Sequence, residues 1–398
     1  MATTRETDFR LREIALPAYG PSALSAIGYG AIMPVLALQA RALGADVSAA
    51  AFVVALWPLG MLATSLPAGA VVARLGERTT LLLAGLVDAV TMVGAAFATT
   101  VWQLAVCVAL SGAAWTAFLI ARQGFLIEAV PVYWRARAMS LLGGTFRIGV
   151  LIGPLIGALL ISLADLRAVF LLAAVTSACA ALLALVMPDL GAESRRAQRE
   201  AGHVSVRSVL LAHRQTLLTL GVAVVVIGAS RSIRASLLPL WADGIGLSAS
   251  TTSLIFAMAA LIDVLFFYPG GWLMDRRGRA LVAVPVVLTV AIACFLLPLT
   301  SAAAGVAAVM VLIAVGNGLG SGIVMTLGAD SAPEVGRAQF LGGWRLCGDL
   351  GNSGGPLLVS AVAAAAPLAA ACLVIGVLGL LGTGWVGYWT HRLDVSRS

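Results

Sequence analysis

Twelve apolar stretches, most of them twenty or more residues long, constrain this chain more than any other feature. A helix needs about 20 apolar residues to cross a hydrocarbon core of about 30 Å. The stretches therefore predict an all-α integral membrane protein with twelve transmembrane helices. They lie at residues 14–40, 49–72, 80–100, 102–130, 138–163, 167–187, 216–240, 250–273, 280–300, 303–329, 337–364 and 367–390.

The overall composition indicates the same class. Hydrophobic residues make up 61% of the chain and charged residues only 11%, and the mean hydropathy is +1.02, well above that of a soluble domain. The net charge of +7 comes from arginine alone, since the sequence has no lysine. We assign this charge to loops that face anionic lipid, so we expect the bilayer as a partner and no nucleic acid.

Sequence motifs for enzyme chemistry are absent or misplaced. The five cysteines lie in apolar stretches, and the three histidines lie in loops or the tail without metal-ligand spacing, so no disulfide, metal or cofactor is expected. Gly351-Asn352-Ser353-Gly354-Gly355 fits Gly-x-Ser-x-Gly only inside a predicted span, where the strand-to-helix turn of a nucleophile elbow cannot form. No phosphate-binding Gly-x-x-x-x-Gly-Lys loop occurs, so we expect a non-enzymatic protein driven by an ion gradient, not by ATP.

Several features recur after about half the chain length. Gly271-x-x-x-Asp275-Arg276-x-Gly278-Arg279 lies between two apolar stretches, as does Gly69-x-x-x-Ala73-Arg74-x-Gly76-Glu77-Arg78. A repeat of this length predicts a duplicated membrane unit. We expect two pseudo-symmetric six-helix bundles, at residues 1–187 and 216–398, joined by a polar linker at 188–215.

The distribution of arginine predicts the orientation. Most arginines fall at one set of helix ends and loops, while only Arg41 and Arg167 fall at the other set. Positively charged loops stay in the cytoplasm. The sequence therefore predicts a multi-pass protein of the cell membrane with both termini cytoplasmic.

Three motifs together resemble a known family. The Gly271–Arg279 loop resembles motif A of the major facilitator superfamily, and the helix-1 stretch Gly28-x-Gly30-Ala-Ile-Met-Pro34 is similar to a signature of its twelve-helix drug/proton antiporters. Motif C of those antiporters is matched by a group in helix 5: Gly149, Gly153, Pro154 and Gly157. In that motif three glycines give a smooth helix face, and proline permits a bend.

The resemblance implies a latch at the cytoplasmic surface. In the family, the motif-A acid and arginine engage a carboxylate at the end of the fourth helix of the half and hold the outward-closed arrangement. The second half keeps every part: Gly271, Asp275, Arg276, Arg279 and Asp330. The first half departs from the pattern because Ala73 replaces the acid and Glu77 the first basic residue; it retains Gly69, Arg74, Arg78 and Glu128.

Charged residues inside predicted spans are candidates for coupling or gating, because a charge in the bilayer is costly. By depth along the helices we expect an Arg147–Asp263 pair that bridges the halves, or else a static ion pair at that place. Arg345 and Asp349, one turn apart, are expected to pair locally. Asp88 is expected to pair with Arg122. A carboxylate in a low-dielectric site keeps its proton to higher pH, so Asp263 or Asp349 would carry the coupled proton.

The resemblance implies a secondary transporter that works by alternating access. We expect a monomeric, proton-coupled exporter of small amphiphilic or drug-like compounds, as in efflux and multidrug resistance. Helices 1, 4, 7 and 10 would line its substrate cavity with Tyr29, Met33, Trp115, Phe118, Arg231, Asn317 and Met325. Two alternatives remain: an organic-anion or small-metabolite carrier, favoured by the excess of buried arginine, and a non-transporting membrane sensor or assembly partner.

Overall fold

The computed structural model of this chain describes residues 11–131, 135–188, 206–333 and 337–395. The described residues fold into helices and connecting turns, with no β-strand among them. The helices are α1 Leu11–Ile32, α2 Leu36–Ala42, α3 Val47–Leu75, α4 Glu77–Ala96, α5 Val101–Ala129, α6 Arg135–Leu163, α7 Leu166–Ala184, α8 Val206–Ala212, α9 Arg214–Gly244 with a π turn at Leu217–Gly221, α10 Ala249–Arg277, α11 Ala280–Leu296, α12 Ala303–Leu319, α13 Ile323–Ser331, α14 Arg337–Ala363 and α15 Leu368–Val395.

The all-helical membrane fold is confirmed. Ten of the described helices are long and apolar enough to cross a bilayer, and eleven spans result if the bent pair α1–α2 counts as one. The remaining predicted span, residues 337–364, corresponds to α14, which has 27 residues and contains Arg345 and Asp349 among its apolar side chains. Twelve spans are thus compatible with the structure. Of the predicted linker, residues 189–205 lie outside the described residues.

Two predicted spans are broken helices. A bend of 46° separates α1 from α2, at the Met33-Pro34 step, where the proline disfavours helical backbone in the preceding residue. The break between α12 and α13 lies at Gly320-Ser321-Gly322, where Gly322 has a φ of +95° that only glycine adopts readily.

The duplication is visible in the backbone. α3 begins at Val47 and α10 at Ala249, 202 residues later, and both contain 29 residues. The tight turns that follow them use Gly76 and Gly278, again 202 residues apart, with φ of +83° and +96°. The two halves therefore repeat the same helix pair and the same left-handed glycine.

The buried side chains divide into three clusters. We name the end of the molecule with the Gly76 and Gly278 turns the basic end, and the end with the loops at residues 97–100 and 300–302 the opposite end. The largest cluster joins both halves near the opposite end and contains Leu36, Val54, Leu237, Ile255 and Val359. Near the basic end each half has its own cluster, around Phe125 in the first and Phe340 in the second. The halves thus share a core at one end and have separate cores at the other.

Candidate functional site

A cavity of about 30 Å³ lies inside the first half. It is bounded by residues from α1, α3, α4, α5 and α7, together with Met33 and Leu36 at the α1–α2 break. Of the predicted cavity residues, Tyr29, Met33 and Trp115 line it. Its volume is sufficient for a water molecule, which requires about 10–15 Å³.

Aromatic rings form one side of the cavity. The Tyr29 ring stacks on Trp57, with centroids 4.7 Å apart, and on Trp115 at 5.6 Å. Trp115 also stacks on Phe118 at 5.7 Å and contacts Phe146 at 6.2 Å. Phe118 was predicted to line the cavity; it is buried behind Trp115, with 3% of its surface exposed. The cluster offers large, rigid apolar faces to a bound molecule.

Asp88 of α4 lines the same cavity, and its partners are serines. Its carboxylate accepts one hydrogen bond from Ser111 of α5 and one from Ser177 of α7, both at 2.5 Å. Trp57 Nε1 in turn donates to the Ser111 hydroxyl at 3.3 Å. A hydrogen-bonded chain thus connects the carboxylate to the aromatic cluster.

The predicted Asp88–Arg122 pair is not formed. Arg122 donates to the Ser22 hydroxyl of α1, and its guanidinium lies 5.9 Å from the Phe146 ring centroid. Ser111 and Arg122 lie eleven positions apart on α5, about 16 Å at 1.5 Å per residue. Because Asp88 contacts Ser111, it lies level with Ser111 and not with Arg122, so the two residues that were predicted to share a depth lie at different levels.

Asp263 of α10 is the centre of a polar group in the second half. Its Oδ2 atom accepts from Arg234 Nη1 at 3.1 Å and from Asn317 Nδ2 at 3.0 Å, while its buried Oδ1 atom has no hydrogen-bond partner among the described residues.

No ion pair joins Asp263 to Arg147, although both are described. Arg147 donates instead to the Ser321 hydroxyl and lies over the Phe267 ring, 4.1 Å from its centroid. Arg147 therefore bridges the halves, but through a hydroxyl and a ring, because Arg234 already holds Asp263.

The remaining predicted cavity residues lie in the second half. Arg231 donates from Nη2 to the carbonyl oxygen of Gly320, at the α12–α13 break, at 2.7 Å. Met325 follows that break and has 77% of its surface exposed. Asn317 and Met325 were predicted to line the cavity from one span; the helix breaks between them, and neither residue lines the cavity of the first half.

Asp349 connects the two halves. Its Oδ2 atom lies 4.0 Å from Arg345 Nε, one turn away on α14, as the spacing predicted. The same oxygen accepts from the Ser65 hydroxyl of α3 at 3.2 Å.

Two further contacts join the halves nearer the opposite end. Ser48 donates to the Ser360 carbonyl at 2.9 Å. At that end Arg41 Nε lies 3.2 Å from Asp243 Oδ2.

The motif-C glycines form a close helix contact. A β-carbon added at Gly149 would lie 2.5 Å from Ala26 Cβ of α1, and one added at Gly153 would lie 2.6 Å from the Ala31 nitrogen. Gly157 is less confined, with its nearest atoms at 3.6 Å. Pro154 lies within α6, which continues through it. The glycines thus let the backbones of α1 and α6 touch.

The two motif-A loops make different contacts. In the second half, Arg279 Nε lies 2.9 Å from Asp330 Oδ2, so these two predicted latch residues pair. Asp275 is exposed and has no hydrogen bond or ion pair to any described residue, and Arg276 lies over the Trp272 ring at 4.7 Å. Around Gly271 the space is open.

In the first half, Arg78 Nη2 donates to the Leu185 carbonyl at 2.7 Å. Arg74 is exposed, Gly69 has open space beside it, and Glu128 lies at the end of α5 with a partly exposed side chain.

Several residues of these sites were missed by sequence analysis. Serines inside spans gave no distinct signal, and Trp57 did not stand out within its apolar stretch. Asp394, in the last turn of α15, accepts from the backbone nitrogens of Arg279 and Ala280 at 2.8 and 3.0 Å. Its position in the C-terminal tail gave no reason to connect it with motif A.

Comparison with known proteins identifies the family. The sequence profile described as Major Facilitator Superfamily matches residues 22–356, most of the chain. The chain belongs to the Major Facilitator Superfamily. A curated relative, the uncharacterized MFS-type transporter YhjO of Bacillus subtilis (strain 168), is 29% identical over 108 residues. That match spans only 27% of either protein.

Solved structures of three transport proteins share the fold. A POT family transporter in complex with a thioalcohol-conjugated peptide superimposes with a TM-score of 0.77 at 13% identity, over 96% of both chains. A D-xylose-proton symporter gives 0.74 at 15% identity, over 96% of this chain and 98% of that one. The nucleoside transporter NupG gives 0.73 at 13% identity, over 95% and 99%. At these identities the likeness concerns the fold alone.

Proposed function

We propose that this protein is a secondary transporter of the cell membrane that moves small amphiphilic compounds outward in exchange for protons. The observation that carries the proposal is the arrangement of the buried clusters, shared at the opposite end and separate at the basic end. An alternating-access protein needs two halves that part at one end while they remain packed at the other.

The interior of the first half supports an amphiphilic substrate. Stacked rings of Tyr29, Trp57 and Trp115 with Met33 line a space that also contains a carboxylate. Aromatic faces and methionine adapt to varied apolar groups. The glycine contact of α6 with α1 in motif C supports assignment to the antiporters.

Transport into proteoliposomes with an imposed pH gradient tests the proposal. A cationic amphiphilic dye should accumulate only when the gradient is present, and a protonophore should abolish accumulation. Accumulation that is equal with and without the gradient would exclude proton coupling. No accumulation of any probe would favour the sensor or assembly role.

An organic-anion carrier is the second candidate. Arg147, Arg231 and Arg234 lie around the single carboxylate of Asp263, so this region of the interface carries excess positive charge. The same vesicles, supplied from outside with a labelled organic anion in place of the dye, separate the two candidate functions. For an organic-anion carrier, the anion should accumulate and the dye should not.

The proposed orientation places the basic end in the cytoplasm. In a background without the five native cysteines, cysteine at position 100 or 301 should react with an impermeant reagent added outside cells, and cysteine at 276 should not. All three native positions, Thr100, Ser301 and Arg276, are exposed. Reaction of all three from outside would contradict the orientation.

A further inference from the structure

Asp88 is distinguished from the other interior carboxylates by its partners. Asp263 is bonded to Arg234, and Asp349 lies 4.0 Å from Arg345. Within the described part of the chain, the Asp88 carboxylate accepts only from the hydroxyls of Ser111 and Ser177. A carboxylate next to arginine is held in its ionised form, whereas one without a nearby cation in a low-dielectric interior is neutralised most readily by a proton.

Among the described residues, no charged side chain contacts the Asp88 carboxylate. Tyr29 of α1 lines the same cavity, Cys107 lies one turn from Ser111 on α5, and Cys179 lies two positions from Ser177 on α7; none of these side chains supplies a cation. The charged residues of the helices packed around it, or of their ends, whose side chains are described do not line the cavity: Arg41, Asp46, Arg74, Glu77, Arg78, Arg122, Glu128, Asp165 and Arg167. The cavity beside the carboxylate is large enough for the water that would deliver a proton.

We propose that Asp88, with Ser111 and Ser177, forms the proton-binding site of this transporter, inside the first half and in contact with the aromatic cavity. In the ionised state both serines donate to the carboxylate. When a hydronium ion in the cavity transfers its proton, water remains, the new Asp88 hydroxyl donates to one serine oxygen, and the other serine still donates to Asp88. The inference names the coupling residue of the proposed function, and it moves that role from Asp263 and Asp349 to Asp88.

Infrared difference spectroscopy of the purified full-length protein tests the site without any substrate. Spectra recorded at acidic and at neutral pH should differ by the carbonyl stretch of a protonated carboxylic acid. Asp88→Asn should remove that band, because the amide cannot titrate. The matched variant Asp349→Asn, which alters a carboxylate that has an arginine partner, should retain it. A band of equal intensity in Asp88→Asn would overturn the proposal.

A second pair of variants keeps the test decisive if Asp88→Asn does not fold. Ser111→Ala and Ser177→Ala each remove one donor to the ionised form, so the band should persist to higher pH in both. An unchanged titration in both would contradict the site. The titration is repeated with choline in place of sodium. A titration midpoint that depends on sodium would show that the site binds an alkali cation, which would also refute the proposal. If the wild-type protein shows the Asp88 band but no proton-driven dye transport, the proposed function is wrong, while the proton-binding site is still supported.

Discussion

The two halves have the same backbone plan but hold their polar groups differently. In the second half, carboxylates pair with arginines: Asp263 with Arg234 and Asp330 with Arg279. Three charged residues of the first half have neutral partners instead. Asp88 is bound by serines, Arg122 by Ser22, and Arg78 by a main-chain carbonyl. Duplication thus preserved helices and glycine turns, while the chemistry between helices diverged. We expect the second half to depend on paired charges and the first half on hydrogen bonds.

The largest effect is expected for Arg234→Met. This change leaves the Asp263 carboxylate buried without its cation, and breaking a buried pair from one side costs about 3–5 kcal/mol. The measurement is thermal unfolding of the purified protein in detergent. The double variant Arg234→Met with Asp263→Leu should recover most of the loss, because no charge is left unpaired.

Ser177→Ala is the matched change in the first half. It removes one hydrogen bond to a charged acceptor and should cost about 1.5–3 kcal/mol. If Ser177→Ala destabilises the protein more than Arg234→Met does, the contrast between the halves is wrong.

The glycine contacts should be sensitive in both halves. Gly153→Ala forces a β-carbon against the backbone of α1, and Gly355→Ala forces one to within 2.5 Å of the Ala229 carbonyl in α9. Overpacking of this kind costs about 1–3 kcal/mol. Gly144→Ala on the same helix as Gly153 meets nothing within 4 Å, so it should be neutral or slightly stabilising. Equal effects of Gly144→Ala and Gly153→Ala would show that the helices do not approach as closely as described.

Asp394→Ala tests the cap of α11 in the second half. Loss of the carboxylate leaves the backbone nitrogens of Arg279 and Ala280 unbonded, and loss of a helix cap costs about 0.5–2 kcal/mol. The control is Asp46→Ala, which removes a single bond to Ala49 N at the start of α3. Unfolding in detergent should show the larger loss of stability for Asp394→Ala. The reverse order would indicate that contacts other than those of Asp394 stabilise the turn at Gly278.

Asp243→Asn should have the smallest effect. It removes the Arg41–Asp243 pair between the halves, in which the side chains are 36% and 40% exposed. Exposed pairs contribute about 0.2–1 kcal/mol, and salt screens them. The difference from wild type should disappear at high ionic strength. A difference that persists in high salt would mean that the pair is shielded from solvent.

Much of the fold could be predicted from the sequence. The lengths of the apolar stretches placed most helix limits to within a few residues. The breaks were missed because hydropathy does not fall at Pro34 or at Gly320–Gly322, although proline and clustered glycines were visible there.

The candidate site was predicted less well. Aromatic and methionine residues of α1 and α5 were found, because bulky side chains are few in these glycine- and alanine-rich helices. Charge pairing was predicted for Arg345 and Asp349, where the helix itself sets the distance, and for Arg279 and Asp330, from the resemblance to motif A. Position along a helix does not give the direction in which a side chain points. For helices of unequal length, such as α4 and α5, it also does not give the level relative to the neighbouring helix. Asp263 and Asp88 were therefore assigned the wrong arginines.

The broken helix at Gly320 explains how the second half holds two neighbouring arginines near one acid. The Arg231 guanidinium bonds a carbonyl at the C-terminal end of α12, where the aligned peptide dipoles of a helix amount to about half a negative elementary charge. That partial charge compensates Arg231 without a carboxylate, so Asp263 remains available to Arg234. A count of acidic and basic side chains therefore overstates the positive charge of this interface, because a peptide dipole serves as one of its anions.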